Sequence, residues 1–362
     1  MFTSKNEKNN WIWWIVTGAA LLGYGILTYR LFYNQCVHVD DYPVFVSDMK
    51  AYMQTAMGQE SGYSFPYPIF FWCIRLFMVF LPVEAATALV TCLLNMGSVA
   101  LVLYYVHVDI ALWNKQRTGR QQDARGENYE TWIKGLWFLL VFSIFFVSML
   151  YAPKGIYLPG MDHKYLGVFT ANPYHNATYL ATRPFSIVAF YLFLRIWDHY
   201  EETIGRKEGL CFSVALLLTT MTKPSFTLVF GMAAAIVLLA GLLRSKGKNL
   251  KQTALFVLCF VPTILDLLYQ FRGVFQGVSD TGEEAGMGIG LFSAWSLYCH
   301  NIPLAVVLAL AFPGLYLVLN LKRLWKDKAF GFTWLLMGCA FFTLGFLYEK
   351  GERFDDLNFS WG

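Results

Sequence analysis

Nine times along its length the sequence returns to an apolar run long enough, or nearly long enough, to cross a bilayer, near residues 11–33, 84–106, 134–152, 178–197, 210–222, 225–243, 252–271, 302–321 and 329–348. A spanning helix needs roughly 20 mostly apolar residues, and inside lipid only a helix or a closed barrel satisfies its own backbone. The pattern therefore predicts an all-α polytopic membrane protein of about nine transmembrane helices, forming a single transmembrane domain over residues 1–362. Composition agrees: 57% of residues are hydrophobic and 14% charged, against about 25% charged in soluble chains. Aromatic residues make up 18%, which suits spans that begin and end at interfaces.

One further run, 69–81, lies between Pro68 and Pro82 and carries Arg75 at its middle. At this length it suits an interfacial or re-entrant piece. If it does not cross, 18 of the 28 Lys and Arg fall on the inner side, together with 10 of the 24 acids. If it crosses, the basic clusters around Lys115, Arg244 and Lys322 move outside and invert the positive-inside bias. The non-crossing topology puts the N-terminus in the cytoplasm. It leaves long outer segments at 34–83, with juxtamembrane helices, at 153–177 and at about 272–301, and a further one from Glu349. The end of the chain at Gly362, soon after the last span, reads as the end of a fragment with further spans missing. The net charge of +4 and the lack of a basic stripe exclude a nucleic-acid partner. The seven Cys show neither a disulfide framework nor zinc-ligand spacing.

Within the first outer segment, Ser47 is positioned to cap a short helix that Gly58 ends, with Asp48 in its first turn and Tyr52 on the same face. A carboxylate at the membrane surface can take the proton of an attacking hydroxyl; equally, Asp48 can be no more than part of the cap. The order Asp48-x-x-x-Tyr52, Gly58, the segment Tyr63-Ser-Phe-Pro-Tyr-Pro-Ile-Phe-Phe-Trp72, a non-crossing apolar helix and then a span resembles the first outer loop of GT-C-type integral membrane glycosyltransferases. These include protein O-mannosyltransferases and aminoarabinose lipid A transferases. The likeness covers residues 11–106 and implies a GT-C-like fold, Asp48 as catalytic base, and a polyprenyl-phosphate sugar as donor. Where those enzymes commonly carry Asp-Glu, this chain has Asp48-Met49; Asp40-Asp41 offers a second acidic pair nearby or is simply solvated.

The second outer segment holds Met161-Asp-His-Lys164 and then Asn172-Pro-Tyr-His-Asn-Ala-Thr178, with Arg183 one turn into the following span. An Arg at that depth needs a partner or a cavity. A carrier phosphate would serve, as would snorkelling to headgroups or a pair within the protein. Asn176-Ala-Thr178 also reads as an N-glycosylation acceptor. Lys223, in an almost loopless turn, and Arg353, if its loop folds back, are two more candidates for that phosphate. Asp266 invites an ion pair with Arg272 or Lys223, and the Gly-rich stretch 280–290 reads as a mobile segment.

Asp48 is thus the candidate catalytic residue, and Tyr52, His175, Asn176, Arg183, Lys223 and Arg353 are the candidates for substrate binding. The expected activity is sugar transfer from a polyprenyl-phosphate carrier to a glycan or lipid acceptor on the outer face of the membrane, in cell-surface polysaccharide or glycolipid synthesis. The bacterial cytoplasmic membrane is the expected location. The alternative is a flippase, transporter or polymerase-like protein of polysaccharide export, though a transporter would more naturally show repeated halves and midplane charges. No cofactor is required; a divalent metal stays open, without a ligand cluster to name.

Overall fold

A computed structural model describes residues 4–39, 47–117, 124–150, 173–275, 286–299 and 301–361. The chain is an all-α polytopic membrane protein. Its elements run α1 (Ser4–Val37), α2 (Met49–Met57), α3 (Ile69–Met78), α4 (Val83–Arg117), α5 (Ala124–Leu150), α6 (Ala177–His199), α7 (Arg206–Thr222), α8 (Ser225–Arg244), α9 (Leu250–Leu258), α10 (Val261–Phe275), β1 (Gly286–Ile289), α11 (Ile302–Leu319), α12 (Arg323–Lys326), α13 (Lys328–Phe346) and β2 (Leu347–Lys350).

Among the described residues five helices are long and apolar enough to cross a membrane: α1, α4, α6, α8 and α13. A sixth span results if α9 and α10 are taken together. Among the described residues these are fewer than the nine runs read from hydropathy. The run 210–222 belongs to a helix of only 17 residues that ends in Thr219, Thr220 and Thr222. The run 252–271 is broken near Cys259 and bent by 49°. The run around Arg75 is the 10-residue helix α3, too short to cross.

Lipid tails are as apolar as leucine, so close backbone approach and side-chain packing, rather than a hydrophobic drive, hold such helices together. α1 packs along α4, and α6 along both α4 and α7. Small buried residues line the contacts: Ala86, Ala88, Ala181 and Ala189 have no accessible surface. Gly25 of α1 lets the Met96 sulfur of α4 in where a Cβ would stand, while Cys92 Sγ donates to Gly25 O at 3.2 Å. Beyond these, Phe193 sits at the centre of a ring cluster, its centroid 4.7 Å from Phe332, 5.1 Å from Phe230 and 5.3 Å from Phe256. That cluster ties α6, α8, α9 and α13 away from the site.

α2 and α3 fold over the other end of the bundle. Gly58 ends α2 in the left-handed region, at φ 75°, which glycine tolerates best. The guanidinium of Arg75 closes the same helix end: Nε donates to Ala56 O at 2.9 Å and Nη2 to Thr55 O at 3.1 Å. A cation on the last carbonyls satisfies both their hydrogen bonding and the helix dipole. β1 and β2 pair antiparallel, Gly286 opposite Lys350 through Ile289 opposite Leu347. Part of the Gly-rich stretch is thus a strand; its residues 280–285 lie outside the described residues, as do Asp40-Asp41 and Met161–Lys164.

Candidate functional site

Asp48 takes the N-cap position of α2, yet its side chain makes no cap hydrogen bond. The carboxylate is held instead by three neighbours. His175 Nε2 lies 3.1 Å from Oδ1, while the Tyr52 hydroxyl and Asn176 Nδ2 each donate to Oδ2 at 3.1 Å. The Tyr52 contact is the i, i+4 pairing expected on one helix face. The backbone joins in, Asp48 N donating to His175 O at 3.2 Å. The Asp48 side chain is 35% exposed and that of His175 6%, so the carboxylate faces outward and the imidazole backs it. Tyr52 is fully enclosed; burial, and then the charge of Asp48, raises its phenol well above the ordinary value, which keeps it a donor to the carboxylate.

Asn176 links this cluster to Lys223. As N-cap of α6 its Oδ1 accepts from Tyr179 N at 3.0 Å. The same oxygen accepts from Thr178 Oγ1 at 2.8 Å and from Lys223 Nζ at 3.4 Å. With its amide so engaged and only 5% of the residue exposed, Asn176 is a structural hub rather than a glycosylation acceptor. Lys223 is likewise buried; its ammonium donates to Thr178 Oγ1 at 3.4 Å and stands 5.7 Å from the Trp361 ring centroid and 5.9 Å from that of Tyr67. Burial pulls its pKa down to about 8, with Asp48, Glu349 and Asp356 pushing back.

Two cavities meet at this lysine. A polar chamber of about 80 Å³ is lined by Asp48, Tyr52, His175, Asn176 and Asp356, with Tyr63, Phe65, Tyr67 and Trp361 as aromatic walls. A larger, mostly apolar groove of about 380 Å³ runs between α8 and α10, along Leu228, Val229, Ile264, Leu267, Leu268 and Phe271. Lys223, Arg353, Tyr67 and Asn358 line both. Leu228, Ile264, Leu268 and Phe271 also present exposed surface, so the groove is reached from the side of the bundle.

Of the residues singled out in the sequence, Asp48, Tyr52, His175, Asn176, Lys223 and Arg353 converge on the chamber. Arg353 is brought in because the segment after α13 turns back through the β1–β2 ladder, and its Nη2 donates to Ser64 O at 3.0 Å. Arg183 does not join them. Its guanidinium lies 4.7 Å from the ring centroid of Tyr179, one turn earlier, and 5.7 Å from that of Phe145 on α5; cation–π attraction offsets the cost that a phosphate was expected to meet. Asp266 finds neither Arg272 nor Lys223. It accepts from Gln270 Nε2 at 2.7 Å, one turn along its own helix.

Sequence reasoning passed over Tyr67, Asn358, Trp361 and Asp356, and read Glu349 as part of an ordinary charged loop. Only the Pro66-Tyr67-Pro68 sandwich carried a local signal. Among the described residues no group of three His, Cys, Asp or Glu is close enough to hold a metal ion. In comparison with known proteins, the chain matches no family model, no curated protein and no solved structure.

Proposed function

We propose that the protein is a membrane glycosyltransferase of GT-C-like design, which moves a sugar from a polyprenyl-phosphate carrier to a hydroxyl acceptor. The observation that supports this reading is the meeting of the two cavities at Lys223 and Arg353. A ligand that fits both has a long apolar tail, an anionic group where tail ends and head begins, and a polar head. The prenyl chain lies between α8 and α10, entering sideways from the bilayer; the phosphate meets the ammonium and the guanidinium; the sugar enters the chamber. Asp48, pinned by His175, Tyr52 and Asn176, takes the acceptor proton as the hydroxyl attacks the sugar carbon. The departing lipid phosphate gains negative charge, which the two cations are placed to stabilise. Charge bias along the chain puts this end of the bundle outside, with the bacterial cytoplasmic membrane as its setting and cell-surface glycan or glycolipid as product.

The test is product formation in cells carrying Asp48→Asn at wild-type membrane abundance. Loss of about 10²-fold or more, the usual scale for a general base, is the expected result. Unchanged product removes the catalytic assignment and moves the transporter reading ahead.

A further inference from the structure

Glu349 stands where a carrier phosphate has to be held, and a carboxylate is the wrong charge for that place. It lies on β2, is 7% exposed, and lines the groove together with Lys223 and Arg353. Its Oε2 accepts one hydrogen bond, from Asn358 Nδ2 at 2.7 Å. Its Oε1 has no hydrogen-bond partner among the described residues, and no cation there comes within ion-pair distance of either oxygen. Ionised, such an oxygen repels an arriving anion; protonated, it is a donor aimed at that anion's oxygen.

Resting on the carrier-phosphate reading above, we propose that Glu349 holds the anion as a neutral acid, so that capture of a prenyl phosphodiester by this site takes up one proton at Glu349. Burial by itself lifts the carboxyl above its ordinary value, against the pull of Asn358, Arg353 and Lys223. A bound negative charge beside it acts in the same upward direction. Affinity is therefore greatest at acid pH and falls as pH rises through the Glu349 transition. The other charged or titratable groups lining the two cavities are Lys223, Arg353, Asp48, Asp356, His175, Tyr52, Tyr63 and Tyr67. A Glu349→Gln substitution leaves all of these in place, and its amide keeps a hydrogen-bond partner for Asn358.

The experiment is calorimetric titration of the protein in nanodiscs with geranylgeranyl methyl phosphate, a diester of fixed charge. Titrations at pH 5, 6 and 7, in buffers of different ionisation heat, count the protons taken up. The wild type is expected to take up about one proton at pH 7 and to lose at least about threefold in affinity from pH 5 to 7, the limit for one coupled proton being about tenfold per unit. Glu349→Gln is expected to bind with the acid-pH affinity of the wild type throughout and to take up none. Equal proton uptake in both proteins overturns the assignment to Glu349 while leaving the phosphate site standing. Wild-type protein that binds geranylgeraniol as tightly as the diester overturns the phosphate site and, with it, this proposal.

Discussion

Lys223 shows how much a single side chain can be asked to do when it is buried. Its ammonium is charged below a pKa of about 8 and neutral above it, so its hold on an anion is present at neutral pH and weakens as pH rises through that value. In the Glu349→Gln background, affinity for a prenyl phosphodiester is expected to fall between pH 7 and 9.5, by at most about tenfold per unit. With Lys223→Arg added, whose guanidinium stays charged throughout, the same titration is expected to be flat; a Glu349→Gln curve equally flat would remove Lys223 from the phosphate site. This residue was legible in the sequence because a lysine between two spans with almost no loop has few places to go. Glu349 was not, since its surroundings depend on a strand pairing between Gly286–Ile289 and Leu347–Lys350 that no local pattern announces. Arg183 marks the opposite failure. Its depth in the span was readable, but the choice between a phosphate and the rings of Tyr179 and Phe145 depends on how neighbouring helices are placed.

Among the elements, α2 is the one on which the chamber depends, since it carries both Asp48 and Tyr52. It is only nine residues long, below the length at which a helix holds itself together in isolation. The Gly58 turn and the Arg75 guanidinium finish its C-terminal end, and Met49, Tyr52 and Met53 bury its inner face against α3 and α4. Arg75→Ala is expected to cost about 1–3 kcal/mol, the range for hydrogen bonds made by a charged group, read as a lower melting temperature in detergent and faster proteolysis around Gly58–Ser64. Arg75→Lys keeps the charge and recovers part of the loss. An unchanged proteolysis pattern in the alanine variant would mean that α2 is held by its apolar face alone. The sequence foretold this helix well, because Ser47, Asp48, Tyr52 and Gly58 sit at diagnostic spacings. It left open whether Asp48 only caps the helix; its carboxylate meets His175 and Asn176, more than a hundred residues away, and makes no cap hydrogen bond.

For the molecule as a whole, labelling from either side of the membrane tests the outer-face reading. Single cysteines at Glu60, beside the chamber, and at Lys248, beyond α8, are both at exposed positions. With Cys211 replaced by serine, Glu60→Cys is expected to react with an impermeant maleimide in intact cells, and Lys248→Cys only after permeabilisation. The reverse pattern would turn the chamber to the cytoplasm and end the outer-face reading. Hydropathy registers composition and not where a helix stops or bends: α7 has 17 residues, and α9 and α10 part at a bend of 49°. The non-crossing of 69–81 was legible in its length, and α3 has only 10 residues.

The walls around Lys223 come from distant parts of the chain: Tyr67 before α4, Asn176 at the head of α6, and Glu349, Arg353, Asn358 and Trp361 after α13. During synthesis the lysine therefore enters the membrane well before the last of these residues leave the ribosome. Until then its ammonium is open on one side, with Asp48 already across the chamber from it. The chamber around Lys223 is thus complete only once the segment after α13 has been made and has folded back.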